Sequence, residues 1–228
     1  MKKSEISLYF GSNLVLEKPQ KQAYFLLRDL GEGLICTDNL EFAKLLHTRF
    51  EENIFLSEFS LNIENKKILN FFDKKYSILN WVATIAKYRL RQFLKTENIS
   101  DVDYLIQHFA IDVSEYDIVI SPRTDNSNLD FIQSFLRSGM SLSTLKKFID
   151  ISEKERMITL INHDLADELI LVKNEYVDAK SYCDKYAKAD FKIRNKLKVA
   201  LKHIAFERNA LYLKDIVEEG IKDHDPRL

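Results

Sequence analysis

The chain has 228 residues, 46% of them hydrophobic, enough for one large domain, or for one domain plus an appendage, with a proper core. Lys and Arg number 34 against 35 Asp and Glu, so no global basic field exists to draw nucleic acid or an anionic membrane. Two cysteines, Cys36 and Cys183, give no disulfide framework and suit a reducing compartment, and no apolar run reaches the roughly 18 residues of a membrane span. No signal-peptide pattern follows Met1-Lys2-Lys3, so the expectation is a soluble, cytoplasmic protein.

In chain order, residues 5–10 alternate as a strand, with Ile6, Leu8 and Phe10 on one face. Residues 33–37 read as a second short strand. Asp38 and Glu41 resemble a capping box opening a helix whose stripe is Phe42, Leu45 and Leu46. Residues 54–63 alternate as a strand through Phe55, Phe59, Leu61 and Ile63. Residues 78–95 carry a helical stripe of Leu79, Val82, Ala86, Leu90 and Phe93, and 101–109 form a shorter helix. Tyr116 to Ile120 is a compact strand stopped by Pro122. Helices are expected at 128–138, 141–149 and 153–163, then a strand from Glu168 to Lys173. From 178 to 219 the chain reads as mostly helical, with Phe191, Leu197, Leu201, Ile204 and Ala205 inward, and the charged tail from Lys222 as frayed. Strands follow one another without regular crossover helices, which points to α+β rather than doubly wound α/β. No internal repeat is visible.

Only five glycines occur, about a third of the usual share, and Gly11, Gly31 and Gly33 cluster near the N-terminus. Clustered glycines in a glycine-poor chain mark sharp turns or close approaches, so these phrases are either two ordinary turns or the floor of a ligand pocket. The five histidines show no metal-ligand spacing, and no zinc, P-loop, dinucleotide-binding or nucleophile-elbow motif is present; no metal is expected. Cys36 has no base that sequence can place beside it, and reads as packing. Lys87, Arg89, Arg91 and Lys95 form either a solvated helix face or a surface for RNA or an acidic partner. Tyr9, Tyr24 and Phe25 read as core or as pocket lining.

The phrases resemble a known pattern in order and spacing. Leu8-Tyr9-Phe10-Gly11-Ser12 resembles the first motif of the diphtheria-toxin-like (H-Y-E class) ADP-ribosyltransferases, and Gly31 to Thr37 with the helix bearing Ala43 resembles their second. Tyr116-Asp117-Ile118-Val119-Ile120, with Arg123, Asp125, Phe131, Phe135 and the Ser141-Leu142-Ser143 helix start, resembles the DUF3990 family, held to share that fold. The resemblance spans about residues 5–180. It implies an ADP-ribosyltransferase-like split mixed sheet with flanking helices over 1–178, including a helical segment at 78–110, and a helical C-terminal extension over 179–228.

It also implies a site. Gly11 and Ser12 would meet the nicotinamide carboxamide of NAD through backbone, with Gly33, Thr37, Arg123 and Asp125 also binding NAD. Glu168 would be the catalytic carboxylate, stabilising positive charge as nicotinamide leaves. The protein would then be an NAD-dependent mono-ADP-ribosyltransferase, the toxin of a toxin–antitoxin or defence pair, with an antitoxin or other protein partner and a protein or nucleic-acid target. The chain departs from the pattern at two signature positions: the histidine position is Phe10 and the tyrosine position is Ile35. Losing a hydrogen bond and a stacked ring costs about 1 kcal/mol or more each in NAD binding. Two alternatives therefore stand: a catalytically degenerate protein of the same fold that acts by binding a partner protein, and an unrelated α+β binding module.

Overall fold

The computed structural model describes residues 4–19, 27–48, 53–91, 99–124, 126–149, 155–203 and 210–228. Two sheets organise it. The first is antiparallel throughout, in the order β1 (Glu5–Ser12), β5 (Ile54–Asn62), β9 (Ile170–Val177). The second is mixed, in the order β4 (Leu34–Cys36), β8 (Met157–Leu160), β7 (Ile118–Ser121), β6 (Ile68–Asn70), with β6 and β7 parallel. A two-stranded ribbon, β2 (Leu27–Arg28) and β3 (Gly31–Glu32), precedes β4. The architecture is mixed α+β, as the sparse crossover helices imply. The sheets join through an antiparallel bridge between Tyr9 and Thr37, where the Tyr9 N–H donates to the Thr37 carbonyl at 2.8 Å.

Period-two alternation places one face of the first sheet against the second. Leu8, Phe59 and Leu61 meet Leu34, Ile118, Ile158 and Leu160 in one buried cluster. On the opposite face, Ile54, Leu56 and Val177 pack against Ala43 of α1 (Leu40–His47) and Tyr182 of α7 (Lys180–His203). The largest cluster covers Leu69 and Val119 of the second sheet. It is built by α2 (Ile78–Ile85), α3 (Ile99–Phe109), α4 (Asn126–Leu136), α5 (Leu142–Phe148) and α8 (Leu213–Glu218). Trp81, Phe109, Phe131 and Phe135 fill it, each under 3% exposed, and such rings dominate core burial.

Several expectations are corrected. Residues expected as a helix from 153 contain strand β8; Met157, Ile158, Thr159 and Leu160 are all buried, and a strand covered on both faces shows no alternation to separate it from a helix. Glu168 does not start a strand: it closes the single turn α6 (Leu165–Glu168), and β9 begins at Ile170 and runs on to Val177. Asn39, not Asp38, caps α1, its side chain accepting from the Phe42 N–H at 3.0 Å. The helix from Ile78 passes at Ala86–Leu90 into a π-helical turn, and residues 92–95 lie outside the described residues. Phe191 is not on an inner face but 67% exposed, because Ile193 and Arg194 turn α7 inward instead; Leu197 and Leu201 are undescribed in their side chains, and Ile204 and Ala205 lie outside the described residues. The tail is tied rather than frayed. Ile221 is buried, Asp223 accepts from the Asn80 amide, and Arg227 pairs with Asp225 and Glu219.

Asp117, inside the Tyr116–Ile120 phrase, ties three strands together. Its carboxylate accepts from the Lys67 N–H and the Asn162 amide, both at 2.8 Å, and its carbonyl accepts from the Ile161 N–H. The Asn162 bond first, then the Lys67 N–H, hold its pKa below the usual carboxylate range. A depressed carboxylate stabilises the fold above its unfolded value and loses that contribution as pH falls through the folded one. We expect Asp117→Asn to cost about 1 kcal/mol in urea unfolding at pH 7, with the difference shrinking below about pH 4. A cost that stays constant with pH contradicts the assignment.

Candidate functional site

The glycine of the first motif has a local physical cause. In β1, Gly11 lies opposite Leu56, on the face that meets α1. A Cβ on Gly11 would stand 2.4 Å from Cγ and 2.5 Å from Cβ of His47, closer than such atoms approach. The imidazole of α1's last residue therefore rests on the Gly11 backbone. It also meets the Phe10 ring edge-on, at 6.1 Å between centroids. Ser12 turns its hydroxyl to local use, accepting from the Leu14 N–H at 3.2 Å.

Thr37 is fully buried and committed. Its hydroxyl donates to the Arg156 carbonyl at 2.9 Å and accepts from the Asn39 N–H. Ile35 packs against Phe42, Leu46 and Met157, with no ring to offer. Gly33 sits where a Cβ would meet Thr159 at 2.7 Å and the Leu160 carbonyl at 2.9 Å, so it serves contact between strands. Arg123, in the loop after β7, pairs with Glu155 and lies over the Phe42 ring at 5.3 Å. Asp125, Tyr24 and Phe25 lie outside the described residues. Tyr9 is half-buried beside Ala43 and Ile54, its phenol raised by burial first and then by the Glu58 carboxylate opposite.

α1 thus gathers Gly11, Thr37 and Arg123 around itself, with His47 on the first and Phe42 beneath the last. Glu168 is not among them. Leu56 is opposite Gly11, whereas Ser60 is opposite Ile170, so at ~3.3 Å per residue about 13 Å of strand separates Gly11 from Ile170 alone. Glu168 lies beyond Ile170 and its carboxylate accepts from Lys66 at 2.7 Å. The β9 residue in register with Leu56 is Glu175 instead, paired with Lys44 at 2.7 Å.

Several charges around α1 are paired. Lys44 meets Glu175, Arg156 meets Asp38 at 3.0 Å, and Arg123 meets Glu155. Glu58 has Lys173 at 3.6 Å. A carboxylate that stabilises developing positive charge must face the reacting centre in a preorganised, water-poor site. These carboxylates already face protein cations. Cys36 is buried, and burial pushes its thiol up to about 12, which leaves no thiolate for nucleophilic work near neutral pH. Among the described residues no cluster of histidine, cysteine and carboxylate side chains could hold a metal ion. Among them, too, no helix is long and apolar enough to cross a membrane.

The basic helical face at 87–91 is likewise occupied. Lys87 lies 3.8 Å from Asp112, Arg91 pairs with Asp103 at 2.7 Å, and Arg89 pairs with the buried Asp29. Asp29 also accepts from the Thr124 hydroxyl. Sequence reasoning passed over His47, Asp29, Glu155 and Arg156. Gly11 signalled a sharp turn or a close approach, but nothing in the one-dimensional pattern named His47 as what approaches.

The chain belongs to the family described as Protein of unknown function (DUF3990), whose model matches residues 6–171. None of the curated proteins matches it, and no solved structure does. The matched span takes in both sheets up to the start of β9. Helices α7 and α8 lie outside it, although α8 contributes Leu213 and Ile216 to the largest core cluster.

Proposed function

We propose that this DUF3990 protein keeps an ADP-ribosyltransferase-like fold without NAD chemistry and acts by binding a partner protein. Two sheets linked by the Tyr9–Thr37 bridge, with a glycine two residues past that bridge, support the likeness of fold. The observation that carries the loss of chemistry is His47 against Gly11. A nicotinamide lying along that strand end would need the space beside the Gly11 Cα, and the chain's own imidazole fills the side-chain side of it. The residues around it do not fit NAD either. Phe10 cannot hydrogen-bond through its side chain, Ile35 cannot stack as a ring, and the Thr37 hydroxyl is committed to the Arg156 carbonyl. Glu168 stands far along the sheet in an ion pair with Lys66.

The test is incubation of the purified chain with labelled NAD and a cell lysate, followed by nicotinamide quantification. We expect no transferred label and no nicotinamide above buffer at millimolar NAD. Label transferred by wild type and lost in Glu168→Ala restores the active transferase reading, with a toxin role open to it. Label lost instead in Glu175→Gln or Glu58→Gln places the chemistry on β5 and β9.

A further inference from the structure

Helix α7 presents a feature that the core does not use. Between its outer face and the end of α5 runs a groove of about 650 Å³, lined by Phe148, Phe191, Lys192, Asn195, Lys196 and Val199. Phe191 is 67% and Val199 57% exposed. With Asn195 they stand at positions i, i+4 and i+8, so they form one stripe along two turns of the helix. Phe148 forms a fixed wall, its ring stacked on buried Phe131 at 5.4 Å. Large apolar side chains exposed together at helical spacing mark an interaction surface more than a random scatter does.

Charge says what suits the groove. Lys188, Lys192, Lys196 and Lys198 are all exposed, and among the described residues none has an acidic partner. Several cations elsewhere are matched: Lys44 with Glu175, Lys66 with Glu168, Arg91 with Asp103, and Arg194 of the same helix with Asp130 and Asp190. The whole chain is near neutral, so unmatched positive charge is concentrated beside this apolar stripe.

We propose that this groove docks an acidic amphipathic helix of a partner protein, a proposal that rests on the partner-binding reading above. Apolar anchors of the incoming helix at i and i+4 lie along Phe191, Val199 and Phe148, and flanking carboxylates meet Lys192 and Lys196. A helix rather than a nucleic acid suits a groove with a single exposed ring and so no series of stacking platforms.

The experiment uses the full chain and a fluorescent peptide of about 18 residues, helical, with leucines at i, i+3 and i+4 and glutamates flanking them. A scrambled peptide of equal composition is the control. Anisotropy is expected to show the amphipathic peptide binding at least about tenfold more tightly than the scrambled one, and Phe191→Glu weakening it by at least about tenfold. Lys192→Glu with Lys196→Glu weakens it similarly, and a peptide with lysines replacing the glutamates restores binding to that variant. The altered residues are exposed, and circular dichroism confirms that the variants remain folded. Equal binding of both peptides, no binding by either, or indifference to Phe191→Glu overturns the proposal. So does displacement of the peptide by phosphatidylglycerol vesicles or polyuridylate bound through the same residues. NAD turnover by a chain that still binds the peptide sinks the loss of chemistry and leaves the groove standing.

Discussion

Gly11→Ala is expected to destabilise the protein by about 1–3 kcal/mol, as overpacking does, and not merely to alter a ligand site. The new methyl would stand 2.5 Å from the His47 Cβ as well as 2.4 Å from its Cγ. Rotating the imidazole relieves the second contact but not the first, because a Cβ moves only with the backbone of α1. α1 in turn packs Ala43 on Ile54 and Leu56, and Phe42 under Arg123. His47→Ala therefore leaves the conflict in place, whereas His47→Gly removes it. The double variant Gly11→Ala with His47→Gly should cost less than the sum of the singles by about 1 kcal/mol or more, measured in a urea double-mutant cycle. Additive costs would falsify the contact. A Gly11→Ala chain as stable as wild type would mean that the glycine serves something other than His47.

Asp29→Ala carries the second large effect, about 2–4 kcal/mol. Asp29 is 7% exposed, and its carboxylate joins three parts of the chain. It sits in the turn between β2 and β3, pairs with Arg89 of the π-helical turn, and accepts from Thr124 beyond β7. Two residues on, Gly31 has φ of 91° and lies under the Tyr88 ring, so a side chain there would be strained. Removing the carboxylate strands a buried hydroxyl and takes away Arg89's counter-charge. Arg89 is about a third exposed, so water recovers part of the loss and the effect stays below that of a fully buried pair. Asp29→Asn retains an acceptor for Thr124 and should cost less than Asp29→Ala. The urea midpoint should fall with an unchanged slope. A change within about 0.5 kcal/mol would show that the Asp29 junction contributes little.

Patterns with a period were legible, and patterns that depend on which side chain lies across a gap were not. Strand β5 follows from its alternation, and β7 from a compact apolar run ended by Pro122. Strand β8 does not, because Met157 to Leu160 are covered on both sides and carry no alternation. The α1 cap slipped by one residue because Asp38 and Asn39 are both good caps; Asp38 is drawn off by Arg156, a partner more than a hundred positions away. Glu168 looked like the start of a strand because apolar residues follow it. The local turn from Leu165 keeps it helical and hands it to Lys66. The glycine phrases read as sharp turns or close approaches, and Gly11 and Gly33 turn out to be close approaches. Sequence could not say that the approaching groups are His47, Thr159 and Leu160 of the same chain rather than a ligand.

The most direct measurement is calorimetric titration of NAD into the purified full chain, in parallel with His47→Gly. No saturable heat up to millimolar NAD is predicted for wild type on the proposed loss of NAD chemistry, with the His47 imidazole filling the space beside Gly11. Saturable micromolar binding by wild type, weakened by Gly11→Ala in proportion beyond its effect on folding, would contradict the account and return Gly11 to the floor of an NAD site.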